Sequence, residues 1–160
     1  MDIGRAPGAR RLVVVPEEPL LGGDRYDYAD AFEVAVRPSD ARSSEQLARA
    51  ALERMPWSLR FVVGIAQRRV LGLRLGPRSS PDHVLGWPIV TASDDVVQLE
   101  ASSPLLRRAV IVGRRPTPDA ATISTFVFYA RPAGRVVWRL VGPVHRMVAP
   151  YLMARAAREQ

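Results

Sequence analysis

The chain has 160 residues, 48% of them hydrophobic and 24% charged, which fits one globular domain with a core of its own and excludes a disordered or collagen-like chain. With no cysteine and only two histidines, disulfides, thiolate nucleophiles and Cys-ligated metals are excluded, and neither a metal centre nor a cofactor is expected. Net charge is +7, and all 23 basic residues are arginine.

The charge is uneven along the chain. Residues 101–158 hold ten arginines against one acid, whereas residues 1–100 hold thirteen against fourteen. Such a surplus fits an anionic partner or a GC-rich coding bias. The arginines come singly or in pairs and aromatics make up only 7%, so nucleic acid is not an expected partner. No apolar run is long enough to cross a bilayer and the first residues do not read as a secretory signal, so the expected location is cytoplasmic.

In chain order, residues 1–20 read as a flexible N-terminal arm that includes a short β-type run, Leu12–Val15, and residues 21–160 as a single domain. Tyr28–Val36 alternates as a strand, with Tyr28, Asp30, Phe32 and Val34 on one face and Ala29, Ala31, Glu33 and Ala35 on the other. Ser43-Ser44-Glu45-Gln46 has the spacing of a capping box and opens a helix through Met55. Pro56 suits the first turn of a second helix, Trp57 to about Leu71, whose inward residues are expected to be Phe61, Val62, Ile65 and Val70.

Four β-type segments follow, Val84–Val90, Val96–Ser102, Arg107–Arg115 and Ala121–Arg131, spaced as an antiparallel meander. A long last helix spans about 134–158, with Val137, Leu140, Val141, Val144, Val148 and Tyr151 expected on its buried face. Pro143 predicts a kink in it. This order predicts an α+β fold of the helix-grip type: a curved antiparallel sheet around a long C-terminal helix, with two short helices after the first strand. Such a fold leaves an apolar cavity between sheet and helix, expected at roughly 300–1,000 Å³.

Three stretches carry a family resemblance: Tyr28-Ala29-Asp30-Ala31-Phe32, the helix ending Leu71-Gly72-Leu73, and a tail with Thr125, Val127, Gly134-Arg135 and Pro143-x-His145-Arg146. Over about residues 20–157 they resemble the START/SRPBCC superfamily, and within it a bacterial branch of uncharacterised function. The resemblance implies a helix-grip fold and a role like that of lipid carriers or polyketide aromatase/cyclases. Two departures stand out: Gln67-Arg68-Arg69 lacks the acid of an Arg-Asp pair, and Glu100 to Arg107 lacks the usual His and Asp.

The candidate catalytic residues are His145, Glu33 and Asp30. His145 is a possible acid/base, and the two carboxylates occupy opposite strand faces, so only one can point into a cavity. His83 reads as an exposed loop residue. Trp138, Thr125, Tyr151 and Val141 are the expected ligand contacts. Arg135, Arg139 and Arg146 fall on the outer side of the last helix and suit docking of an acidic carrier protein. The expected function is binding of a hydrophobic small molecule, as carrier or sensor, with a cofactor-free cyclase, aromatase or dehydratase as the alternative.

Overall fold

The structure, a computed structural model, describes residues 8–159. Its strands are β1 (Arg10–Arg11), β2 (Tyr28–Ala35), β3 (Ser79–Ser80), β4 (His83–Val84), β5 (Trp87–Ala92), β6 (Val96–Ala101), β7 (Leu106–Thr117) and β8 (Ala120–Tyr129). The helices are α1 (Ser44–Glu53), α2 (Trp57–Gly64), which continues as a π-helical turn over Ile65–Val70, and α3 (Pro132–Arg158). The strands form one antiparallel sheet in the order β1-β2-β8-β7-β6-β5-β4-β3. This curved sheet wraps its concave face around α3, and the α+β class read from the sequence is the observed one.

Local chemistry sets each element. Ser43 Oγ accepts from Gln46 N, and Gln46 Oε1 accepts from Ser43 N, so the capping box forms and starts α1. Arg49 pairs with Glu45 and Glu53 along the same helix and donates to the carbonyls of Ser80 and His83. That tie docks α1 on the β3–β4 hairpin. Leu85 and Gly86 both have positive φ, the geometry of a two-residue hairpin turn between β4 and β5. At the start of α3, a Cβ on Gly134 would lie 2.3 Å from the carbonyl oxygen of Leu105, so only glycine lets the helix approach the β6–β7 connection this closely.

The convex face of the sheet is also covered. Leu21, Val15 and Leu20 pack on Val110, Val112, Phe126 and Phe128. Glu18 pairs with Arg114, and Asp24 with Arg107 and Arg108, pinning residues 18–24 to β7. Residues 1–7 of the expected arm lie outside the described residues; residues 8–20 lie against the sheet. The short strand falls at Arg10–Arg11 instead of Leu12–Val15, because the Arg10–Glu33 ion pair sets the register. Val13 and Val14, just beyond it, are exposed.

Two helical faces differ from expectation. On α2 the inward residues are Leu59 and Val63, which pack with Val148 and Leu152, while Phe61, Val62, Ile65 and Val70 are exposed. On α3 Trp138, Met153, Ala154 and Ala157 are buried against the sheet and Leu152 and Ala156 against α1, whereas Leu140 is 72% exposed and Tyr151 also faces outward. Apolar residues occupy both sides of α3, so a wheel drawn on them has no unique inward direction. The helix runs unbroken through Pro143 and Pro150.

Leu152→Ala is expected to cost about 2–5 kcal/mol in urea denaturation, and Leu140→Ala, which removes exposed atoms, to stay within about 0.5 kcal/mol. Hydrogen bonds from Arg107, and then Arg108, hold the Asp24 carboxyl down to about 2 from its ordinary 3.8. Its folded-state pKa is depressed, so its contribution to stability is present above about pH 4 and is lost as pH falls towards about 2. Acid unfolding followed by circular dichroism should therefore show a weaker pH dependence over that window in Asp24→Asn.

Candidate functional site

Tyr28 and Asp30 are two residues apart on β2, so both point to the concave face, where Asp30 lies directly opposite Thr125 of β8. The Asp30 side chain has no exposed surface. Its Oδ2 accepts a hydrogen bond from the Tyr28 hydroxyl at 2.6 Å and lies 3.0 Å from His145 Nε2 on α3. Arg146, the next residue of α3, donates to the Tyr28 oxygen at 3.3 Å. Trp138 sits one to two turns earlier, its ring tilted against both Tyr28 and His145 at centroid distances of 5.2 and 5.4 Å. Two stretches far apart in sequence, Tyr28-x-Asp30 and His145-Arg146, thus form one buried polar cluster.

Burial, and then the neighbouring Asp30 carboxylate, push the Tyr28 phenol above its ordinary value, so it stays protonated and remains a donor at neutral pH. With Asp30 ionised, its acceptor oxygens favour the imidazole tautomer protonated at Nε2. Nδ1 takes no protein hydrogen bond among the described residues.

His145 also lines a cavity. The cavity lies between the concave face and the helices, walled by Ala109, Thr125 and Val127 from the sheet, Leu52 from α1, Val63 and Gln67 from the α2 segment, and Val141 and Val148 from α3. Its free volume is about 110 Å³, smaller than the expected space, and its lining is mostly apolar. Of the expected ligand contacts, Trp138, Thr125 and Val141 line it, and Tyr151 does not.

The other candidates fall elsewhere. Glu33 is on the convex face, paired with Arg10 at 2.9 Å, so it is not a cavity acid. On the same face Ala29 packs with Val15, Leu20 and Leu21, which cover the sheet there. His83 is half-buried rather than exposed, with Nδ1 2.8 Å from Ser80 Oγ inside the β3–β4 hairpin. Arg135 lies over the Tyr129 ring and Arg139 is exposed, but Arg146 is engaged with Tyr28 and is not a free docking charge. The sequence reading missed Tyr28 as a polar participant and Gln67 and Trp87 as wall residues; the Tyr-x-Asp spacing on one strand face was the available signal for the first.

A curved antiparallel sheet closed by a long helix over an apolar cavity, with one buried histidine–carboxylate pair at its wall, defines an α+β cavity protein. The family model described as "Protein of unknown function (DUF2867)" matches residues 23–152, and the chain belongs to that family. No curated protein and no solved structure matches it.

Removing either partner leaves the buried Asp30 oxygen short of a donor. Tyr28→Phe and His145→Ala are each expected to cost about 1–3 kcal/mol, and the double variant to differ from their sum, in equilibrium urea denaturation.

Proposed function

We propose that the protein binds an apolar small molecule in the cavity between its sheet and α3, as a cytoplasmic carrier or sensor of the START/SRPBCC helix-grip kind. The observation that carries this reading is the cavity itself: a partly open, mostly apolar space whose one titratable wall residue among the described residues is His145. Thr125, Gln67 and His145 supply a few polar contacts that would orient a ligand, as small-molecule sites commonly do. The bend of the sheet around α3 and the convergence of Tyr28-x-Asp30 with His145-Arg146 support the superfamily resemblance. A ligand larger than the present space requires the cavity to widen at the α2 segment, in which no residue is buried.

One observation favours a second reading, a cofactor-free cyclase, aromatase or dehydratase. Asp30, 3.0 Å from Nε2, orients the His145 ring, the arrangement a general base needs. His145 would then take a proton from the bound ligand at Nδ1 while Asp30 holds Nε2–H.

Titration with a fluorescent fatty acid and a polyaromatic dye tests binding. The parent protein is expected to bind at least one of them, and Val141→Trp, which fills the cavity, to lose that binding while its thermal melting stays cooperative. Equal affinity in Val141→Trp would place the probe outside the cavity and sink the proposal. His145→Gln separates the two readings: a carrier keeps its ligand unchanged in the parent and the variant, whereas an enzyme converts the ligand only in the parent.

A further inference from the structure

Apolar surface is concentrated at one edge of the protein. The α2 segment, Trp57–Val70, carries Trp57, Phe61, Val62 and Ile65, yet none of its residues is buried. Leu59 and Val63 lean on Val148 and Leu152 of α3, and this orientation turns the other four outward, Trp57 to 82% and Phe61 to 65% exposure. On α3, Leu140, Val144, Met147 and Tyr151 recur at spacings of four, three and four and form an exposed stripe, with Met147 75% exposed. Val144 belongs both to this stripe and to the cavity wall. The two apolar surfaces therefore flank the seam where α2 and α3 close the cavity.

Arginines with no acid beside them accompany these residues. Arg10, Arg42, Arg49, Arg107, Arg108, Arg114 and Arg155 each pair with a carboxylate. Arg60, Arg68 and Arg69 on the α2 segment and Arg135 and Arg139 on α3 have no carboxylate partner among the described residues. No acid occurs between Arg54 and Pro81, or between Ala120 and Arg158. The exposed apolar residues of the α2 segment and α3 are thus interspersed with arginines and with no carboxylate of the same segments.

This composition selects the occupant. A second copy of the chain would bring like charges together. A folded acidic partner would need recesses shaped for Trp57 and Phe61, whereas a lipid surface accepts protruding side chains without a preformed site. Exposed aromatic and aliphatic residues with arginines and no acids suit the headgroup boundary of an anionic bilayer. No helix among the described residues is long and apolar enough to cross a membrane, and the contact proposed is a peripheral one.

We propose that the α2 segment and the outer stripe of α3 form a docking surface for anionic lipid membranes. Trp57, Phe61 and Met147 enter the acyl boundary, and Arg69 and Arg139 meet the headgroups. The cavity seam then faces the lipid phase, which gives an apolar ligand a route that avoids water. Docking itself needs no cavity ligand and stands independently of the cavity reading.

Flotation with phosphatidylcholine vesicles, with and without phosphatidylglycerol, tests it on the full chain. Binding is expected to the anionic vesicles, to weaken as salt rises, and to be accompanied by a blue shift of tryptophan emission that Trp57→Phe removes. Trp57→Ala/Phe61→Ala and Arg69→Glu/Arg139→Glu, all on exposed side chains, should each lose about tenfold or more in partitioning with unchanged circular dichroism and melting. The cavity-filled Val141→Trp should still float, which separates failure of docking from failure of the cavity reading. Equal partitioning onto neutral vesicles, no partitioning at all, or binding unchanged in both double variants overturns the proposal. So does self-association of the parent that Trp57→Ala/Phe61→Ala abolishes, or saturable binding of an acidic carrier protein through these residues without vesicle binding.

Discussion

A carboxylate without exposed surface governs how the two halves of this chain fit together. Asp30 belongs to the strand, but a hydrogen bond to it comes from His145, 115 residues away on α3. Apolar burial does not single out one rotation of α3. The helix carries Trp138, Val141 and Leu152 on one side and Leu140, Met147 and Tyr151 on the other, so either side would cover apolar sheet. Turning the second side inward would exchange one apolar face for another and leave the buried carboxylate short of a partner. Leaving a buried hydrogen-bonding group without its partner costs about 1–3 kcal/mol, as much as or more than most volume-conserving apolar exchanges. The polar pair therefore sets the rotation, and the small residues Gly134, Gly142 and Ala156 on the inward arc let the helix come close.

The same sheet is buried from behind. Phe126 and Phe128 point to the convex face and Val127 to the concave one, and all three are fully buried. A strand buried on both faces reads as a near-continuous apolar run, as Phe126-Val127-Phe128 does. The residues that provide the outer cover, Val15, Leu20 and Leu21, precede the first long strand and are held by Glu18 and Asp24 to β7. Much of the arginine surplus in residues 101–158 is neutralised there, so the charge sum of a sequence segment does not describe one surface.

Signals that depend on near neighbours were legible in the sequence: the capping box at Ser43, the alternation over Tyr28–Ala35, the meander and the length of the last helix. Signals that depend on what lies opposite were not. Asp30 and His145 each stood out alone, but only the topology places them 3.0 Å apart. Ala29, on the face away from Asp30, is covered by Val15, Leu20 and Leu21, a neighbour that strand alternation does not reveal. Alternation said that only one of Asp30 and Glu33 could face the cavity. The larger side chains on the Asp30 face, Phe32 and Val34, were the better guide, because a strand's larger apolar residues fill the deeper core.

The α2 segment was misread for a related reason. Its apolar residues are too many for one face, so burying Leu59 and Val63 necessarily exposes others. Local opening is least costly where few apolar atoms are buried, and this segment buries no residue completely although it forms part of the cavity wall. The opposite walls, β7, β8 and α3, are held by fully buried side chains and by the Asp30–His145 pair. Widening of a space of about 110 Å³ therefore costs least at the α2–α3 seam, where the exposed apolar residues also lie. In this fold the weakest wall of the cavity and its most apolar outer surface are the same element.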